Sequence, residues 1–147
     1  MKVQKSKMPK FAVTDTDVLN CFEVMSELRT HLIKSEFLST VRDMQAEGYK
    51  LVYIEDRGKA VAVAGYRIYT NLFMGKNLYV DDLVTSKHCR SKGYGEKMIA
   101  WLRDVAKNNK CNYFHLDSGV NRDQAHKFYF KQGFTIASYH FSEQLNN

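Results

Sequence analysis

Residues 83–99 read LVTSKHCRSKGYGEKMI, and this stretch decides the fold. An apolar run comes first, a basic loop with two glycines follows, and an amphipathic helix begins after the loop. The first N–H groups of a helix have no partner within it, and the helix dipole favours an anion there. Gly93 and Gly95 let the backbone approach a ligand closely, while Arg90 and Lys92 add cationic donors. The stretch indicates a phosphate-binding loop between a strand and a helix, with ordinary turn chemistry as the alternative.

Length and composition indicate a single globular domain. The chain has 147 residues, 44% of them hydrophobic, and it contains one proline. No apolar run is long enough to span a bilayer, and no hydrophobic region follows the basic N-terminus, as one would in a secretory signal. We therefore expect residues 1–9 to form a disordered basic leader and residues 10–147 to form one domain without a membrane partner.

The distribution of cysteine, histidine and charge argues against a metal site and against nucleic-acid binding. The three cysteines have no C-x-x-C spacing and the five histidines are scattered, which favours a reduced, cytoplasmic protein without a metal site. A formal net charge of +6 admits a nucleic-acid partner. Because the lysines and arginines are spread along the chain outside the loop, we expect no nucleic-acid binding.

Hydrophobic periodicity predicts an α/β (α+β) fold with the element order β-α-α-β-β-β-α-β-α-β. A polar turn between two β-rich runs predicts an antiparallel hairpin, and the strand–helix–strand unit around the loop predicts a parallel pair. We expect a mixed sheet with this parallel pair at its centre and helices on its faces. The predicted elements cover residues 11–13, 16–32, 35–48, 50–55, 60–69, 77–85, 94–109, 113–117, 121–131 and 134–141.

Two motifs in this order resemble the GNAT superfamily of acyl-CoA-dependent N-acetyltransferases. The first is Arg90-Ser91-Lys92-Gly93-Tyr94-Gly95 after a strand. The second consists of Asn121, then Ala125-His126-Lys127-Phe128-Tyr129, then Gly133-Phe134. Residues 78–134 match the superfamily closely, although Lys87 stands where it often has proline. Residues 120–145 look similar to small bacterial aminoalkylphosphonate N-acetyltransferases.

The resemblance implies acetyl-CoA as the cofactor. It places the pyrophosphate on the loop and pairs the pantetheine arm with the edge of the preceding strand, in a slot where two parallel strands splay apart. Asn121 is expected either to bind the cofactor arm or to cap its helix. The implied cofactor-binding residues are Leu83, Val84, Thr85, Arg90, Ser91, Lys92, Gly93, Tyr94, Gly95, Glu96, Asn121 and Tyr129.

The resemblance also implies the catalytic groups. Tyr129 is the candidate acid for the departing thiolate, with a place in the core as the alternative. Asp82 is the candidate base, acting either directly or through a water molecule, and Asp117 is the second candidate for this role. Alternation along the strand predicts that Asp81 and Asp82 point to opposite faces.

We expect acetyl transfer to a primary amine of a small molecule by direct attack, since no cysteine lies at a strand end near the motif. The alternatives are a protein lysine or N-terminal acetyltransferase and a non-catalytic acyl-CoA-binding module. Relatives of this kind are frequently dimers, so the sequence leaves the oligomeric state open, with a homodimer as one alternative. The aromatic residues expected either to line an acceptor pocket or to pack in the core are Tyr49, Tyr53, Tyr66, Tyr69 and Phe73.

Overall fold

The computed structural model describes residues 7–146, and its sheet has five strands in sequence order. The first three pairings are antiparallel, and the fourth and fifth strands are parallel. This confirms the mixed sheet, although the parallel pair lies at its edge rather than at its centre. The strands are β1 (Lys10–Phe11), β2 (Lys50–Asp56), β3 (Lys59–Asn71), β4 (Gly75–Thr85) and β5 (Tyr113–Leu116).

The first predicted helix, residues 16–32, differs from the structure at two places, since it is divided at Cys21 and ends at Leu28. The helix expected over residues 16–32 is divided at Cys21, which is completely buried and whose N–H bonds to the Val18 carbonyl at 3.0 Å in a tighter turn. Thr14 caps the first half through a capping box with Asp17. The helices are α1 (Asp15–Asn20), α2 (Phe22–Leu28), α3 (Lys34–Ala46), α4 (Tyr94–Asn108) and α5 (Asp123–Lys131).

Each face of the sheet carries its own hydrophobic core. Alternate residues of β2 show this, because Leu51 and Tyr53 pack with the α1–α3 side, while Val52 and Ile54 pack with α4. A strand buried on both faces reads as a continuous apolar run, as the sequence of β2 does. The helices therefore cover both faces of the sheet, as predicted.

The last predicted strand, residues 134–141, does not form. Residues 135–146, here called the C-terminal arm, are exposed along their whole length. A strand needs a neighbour to satisfy its N–H and C=O groups, and the arm makes no ladder with β5 in the described part of the chain. The absence of this sixth strand is what leaves the parallel pair at the sheet edge.

Two further observations concern the N-terminal residues and the lengths of the helices. Most of the predicted leader, residues 1–6, lies outside the described residues, while Lys7 forms an ion pair with Asp56, the last residue of β2. Within residues 7–146, no helix has the length and apolar character needed to cross a membrane.

Candidate active site

The parallel strands β4 and β5 separate at the end of their pairing. Their ladder stops at the pair Val80 and Leu116, whereas β4 continues to Thr85 and pairs there only with β3. The backbone groups on the β5 side of residues 81–85 therefore have no partner on β5. This is the divergence that the family resemblance implied, and Leu83 lies at its centre.

The loop between β4 and α4 is held at its β4 end by two hydrogen bonds and bends sharply before α4 begins. The Ser86 N–H bonds to the Val61 carbonyl at 2.8 Å, and the Lys87 N–H bonds to Glu27 Oε1 at 2.8 Å. Ser91 and Gly93 both adopt left-handed backbone conformations, with φ of 69° and 80°. Turns of this kind direct successive N–H groups to one concave side, which suits an anion.

The two glycines of the loop have different surroundings. A Cβ built on Gly93 would meet nothing within 4 Å, so its approach is open. A Cβ on Gly95 would lie 3.2 Å from the Phe128 ring and 3.4 Å from Thr85 Oγ1, so Gly95 allows α4 to pack closely against α5 and β4. The ring of Tyr94 is buried, and its hydroxyl donates to Asp56 Oδ2 at 2.7 Å, so only the Tyr94 backbone faces the loop.

A cavity of about 430 Å³ fills the space where β4 and β5 part. Four of its lining residues, Leu83, Arg90, Asp117 and Tyr129, were singled out from the sequence, and they come from four different parts of the fold. The other lining residues are Glu27, Leu28, Arg29, Val80, Asp81, Leu116, Gly119 and Arg122. Arg29 and Arg122 belong to no motif, and nothing in the sequence placed them here.

Tyr129 reaches this cavity from α5. Its ring packs edge-on against Phe134 and Phe128, at centroid distances of 5.9 Å and 5.5 Å. Burial raises the pKa of its hydroxyl, while the positive charges of Arg122 and Arg29 act in the opposite direction. The side chain is thus a partly buried phenol that keeps its proton at neutral pH and faces a polar cavity.

Asp81 and Asp82 lie on the same face of the sheet, contrary to the expectation from alternation. The register shifts at Gly65 and Tyr66, where Asp82 pairs with Gly65, Val80 pairs with Tyr66, and Asp81 is the extra residue. Such a bulge turns two consecutive side chains to one side. The alternation rule failed here because it assumes a regular ladder.

The two carboxylates have different partners. Asp82 accepts hydrogen bonds from Arg29 Nε at 2.9 Å and from the Tyr49 hydroxyl at 2.8 Å, so both of its oxygens are engaged. Asp81 pairs with Arg67 Nε at 3.1 Å through one oxygen and lines the cavity. Burial raises the pKa of Asp81, and Arg67 opposes that rise.

Arg29 connects Asp81 and Asp82 to the cavity. Its Nη2 also donates to the Asp81 carbonyl at 2.8 Å, so the guanidinium spans the bulge. Arg29 follows α2 directly, and its backbone leaves the helical conformation at φ −108° and ψ 77°. The early end of α2 is therefore what brings this arginine to the bulge.

The segment after β5 forms the far wall of the cavity. Asp117 accepts a 2.6 Å hydrogen bond from the Tyr79 hydroxyl, and His126 bonds to the Gly119 carbonyl at 2.7 Å. Ser118 Oγ is buried without a partner among the described residues. Asn121 is exposed and does not cap α5, whose N-cap is Arg122, so the capping alternative is wrong.

The five aromatic residues considered for an acceptor pocket do not come together. Tyr49, Tyr53 and Tyr66 are buried in the two cores, at 3%, 2% and 2% exposure. Tyr69 and Phe73 are exposed on β3 and on the turn that follows it. Core packing therefore explains the three buried rings, and none of the five lines the cavity between β4 and β5.

The sequence of this chain is similar to those of known proteins. The Acetyltransferase (GNAT) family profile matches residues 18–134. An uncharacterized N-acetyltransferase, YhdJ of Bacillus subtilis (strain 168), is 37% identical over 126 residues, which cover 84% of this chain and 89% of YhdJ. An aminoalkylphosphonate N-acetyltransferase of Salmonella typhimurium (strain LT2) is 24% identical over 66 residues, or 45% of this chain and 43% of that protein.

A solved structure shares the fold at lower sequence identity. The structure of AAC(6')-Iy in complex with the bisubstrate analog CoA-S-monomethyl-acetylneamine superposes with a TM-score of 0.81. The match covers 97% of this chain and all (100%) of that chain, at 14% identity. This similarity concerns the fold alone.

Proposed function

The chain belongs to the Acetyltransferase (GNAT) family and is an acyltransferase, and from that premise we propose that it transfers an acetyl group from acetyl-CoA to a primary amine of a small molecule by direct attack. Members of the family use acetyl-CoA. The observation that carries the proposal is the cavity between β4 and β5, which joins an anion-binding loop, a free strand edge and the Tyr129 phenol.

The residues present fit acetyl-CoA at this place. The free N–H groups at the start of α4, together with Arg90 and Lys92, suit the pyrophosphate, and the open space above Gly93 gives it room. The unpaired edge of Leu83 to Thr85 suits the amide groups of the pantetheine arm. We assign Ser91, Tyr94, Gly95 and Glu96 to this site through their backbone, and Asn121 through its exposed amide.

Two side chains handle protons in the proposed reaction. Acetyl-CoA supplies a thioester that activates the acetyl group for attack by an amine. Tyr129 holds a proton on its hydroxyl and delivers it to the departing sulfur. Asp81 takes the proton of the amine, because it lines the cavity and its raised pKa makes it a stronger base than an ordinary aspartate. Asp82, the base expected from the sequence, instead positions Arg29 in this proposal.

A small acceptor agrees with the size and charge of the cavity. The carboxylates of Asp81 and Asp117 attract an ammonium group, whereas Arg29 and Arg122 attract an anionic group on the same molecule. A volume of about 430 Å³ has to hold both the reacting end of the cofactor and the acceptor. The aminoalkylphosphonate N-acetyltransferase relative acts, by its name, on amines that also carry an anion, so such amines belong in the test.

A substrate panel tests the proposal. The purified chain is incubated with acetyl-CoA and with polyamines, amino acids, aminoalkylphosphonates or lysine-containing peptides, and free thiol release is followed. We expect amine-dependent release with at least one small amine and none with peptides. Turnover with peptides alone would support the protein-acetylating alternative. Tight acetyl-CoA binding without turnover of any amine would support a non-catalytic binding module.

A further inference from the structure

The C-terminal end of α2 contacts β4 and the loop after it at two separate points. Arg29, which follows α2 directly, donates to the Asp81 carbonyl at 2.8 Å. Glu27, in the last turn of α2, accepts a 2.8 Å hydrogen bond from the Lys87 N–H through Oε1. Between these two points lie residues 83–85, the strand edge that has no partner on β5. The end of α2 therefore brackets the edge assigned above to the pantetheine arm.

Glu27 supplies the acceptor for the first N–H of a short 3₁₀ turn. This turn covers Lys87–Cys89 at the start of the cofactor loop, and Ser86 before it makes no side-chain cap bond. The first N–H groups of a helical turn have no partner within it, so a carboxylate from another element satisfies this one well. Proline, which the superfamily often has at position 87, has no N–H and could not make this bond. The contact therefore depends on the residue that this chain has at position 87.

Glu27 also brings a negative charge close to a site that suits an anion. Its side chain lines the cavity together with Arg90 of the loop. A carboxylate near the pyrophosphate repels it, so charge alone would make Glu27 unfavourable for cofactor binding. The hydrogen bond to Lys87 has the opposite effect, because a loop that is already held in place loses less freedom when the cofactor binds. These two effects of Glu27 on cofactor affinity differ in sign and can be separated by experiment.

We propose that Glu27 is a positioning residue for the cofactor, which fixes the start of the loop through the Lys87 N–H and so raises the affinity for coenzyme A. This inference rests on the proposed function, since it takes the loop and residues 83–85 as the binding surface of acetyl-CoA. Residues 27–29 hold both ends of that surface, one through Glu27 and the other through Arg29. A shift of α2 would therefore change the cofactor site at both ends at once.

Calorimetric titration with coenzyme A, in the absence of any amine, tests this role. Glu27→Ala removes the acceptor, and we expect Kd to rise about fivefold or more in spite of the lost negative charge. Glu27→Gln keeps an acceptor oxygen, so its Kd should lie closer to that of the parent chain than to that of Glu27→Ala. Glu23→Ala removes the same charge from an exposed position one turn earlier on α2 and should change Kd by less than about twofold.

Two substitutions at position 87 isolate the N–H itself. Lys87→Pro removes this N–H and Lys87→Ala keeps it, while both remove the charged side chain. Proline fits the backbone here, because Ser86 has the ψ of 135° that residues before proline prefer, and 3₁₀ turns have the φ that proline imposes. Lys87→Pro should bind coenzyme A about fivefold more weakly than Lys87→Ala. Adding Glu27→Ala to Lys87→Pro should cost little more, because each change removes the same bond.

Three results would overturn the proposal. The first is a Glu27→Ala variant that is folded in a thermal melt and binds coenzyme A as tightly as the parent chain or more tightly. The second is an equal Kd for Lys87→Pro and Lys87→Ala, a comparison that also decides the matter if Glu27→Ala does not fold. The third is a Glu27→Gln variant as weak as Glu27→Ala. A parent chain that does not bind coenzyme A would contradict the proposed function as well, whereas these three results leave that function intact.

Discussion

The Tyr49 hydroxyl donates a 2.8 Å hydrogen bond to Asp82 Oδ2 through the space that Gly65 leaves free on β3. A Cβ on Gly65 would lie 1.8 Å from the Tyr49 hydroxyl oxygen and 2.2 Å from the ring carbon that bears it. The missing side chain therefore admits a buried tyrosine next to the bulge of β4. This contact holds the carboxylate that in turn orients Arg29.

Replacing Gly65 with alanine should displace Tyr49 and destabilise the fold. We expect the free energy of unfolding to fall by about 1–3 kcal/mol, as is usual when atoms are forced into a filled core. Urea denaturation measures the change. In a Tyr49→Ala background the same substitution should cost much less, because the clash is gone. Equal costs in the two backgrounds would contradict this account of Gly65.

Tyr49 should also make the fold sensitive to alkaline pH. Burial, and secondarily the Asp82 carboxylate, raise the pKa of the Tyr49 hydroxyl well above its usual value. Above pH ~10 the unfolded chain loses this proton while the folded chain keeps it, so stability is lost as pH rises. Tyr49→Phe should flatten the decline by up to about 1.4 kcal/mol per pH unit. Parallel stability curves for the two proteins between about pH 10 and 11 would refute this.

The sequence predicted the elements of the fold better than their irregularities. The elements within residues 93 to 134 could be predicted because the glycine loop, the helix that follows it and the second motif each have a local sequence signal. The bulge that places Asp81 beside Asp82 depends on pairing with Gly65, a residue remote in sequence, and local alternation cannot detect it. The unpaired state of residues 135–146 likewise depends on the absence of a neighbouring strand, which the apolar pattern does not encode.

Site residues outside the motifs were missed for a similar reason. Arg29 enters the cavity because α2 ends at Leu28 and the chain then leaves the helix, while the amphipathic pattern had extended that helix to residue 32. Arg122 lines the cavity next to the predicted Asn121, which the structure leaves exposed. Neither arginine carries a sequence signal that separates it from an ordinary surface cation.

A matched pair of substitutions distinguishes the two aspartates. If Asp81 is the base, Asp81→Asn should lower kcat about 10²-fold and remove the acidic limb of the pH–rate profile. That limb reflects protonation of Asp81, whose pKa burial raises, so activity falls as the pH decreases. Asp82→Asn should act mainly on KM for the amine, because it loosens Arg29. A larger loss of kcat in Asp82→Asn would restore Asp82 as the base.

Gly93 and Gly48 offer a matched test of the cofactor loop. Both have positive φ, 80° and 100°, and neither has a neighbour within 4 Å of a built Cβ. Substitution by valine strains either backbone by on the order of 1–3 kcal/mol. Only Gly93→Val should weaken acetyl-CoA binding, by tenfold or more, because its side chain would enter the space assigned to the pyrophosphate. Calorimetric titration measures Kd, and equal affinities of the two folded variants would remove Gly93 from the binding site.

Tyr129→Phe tests the proposed acid. The substitution removes one oxygen and keeps the ring, so the edge-on contacts with Phe128 and Phe134 remain and the melting temperature should change little. If the hydroxyl delivers a proton to the departing sulfur, kcat should fall by about 10²-fold. Acetyl-CoA affinity should stay nearly constant, because the lost interaction belongs to the transition state.

The control for this prediction is Tyr69→Phe, which removes a hydroxyl from a 43% exposed ring on β3 outside the cavity. Both variants are compared with the parent chain at saturating acetyl-CoA, with an amine that the enzyme accepts well. Burial raises the pKa of Tyr129, so the acid keeps its proton at pH 7 and pH 8, which lie roughly two units or more below the usual tyrosine pKa. The loss of kcat in Tyr129→Phe should therefore be the same at these two pH values. A kcat within about threefold of the parent would assign proton delivery to water and leave Tyr129 as a wall of the cavity.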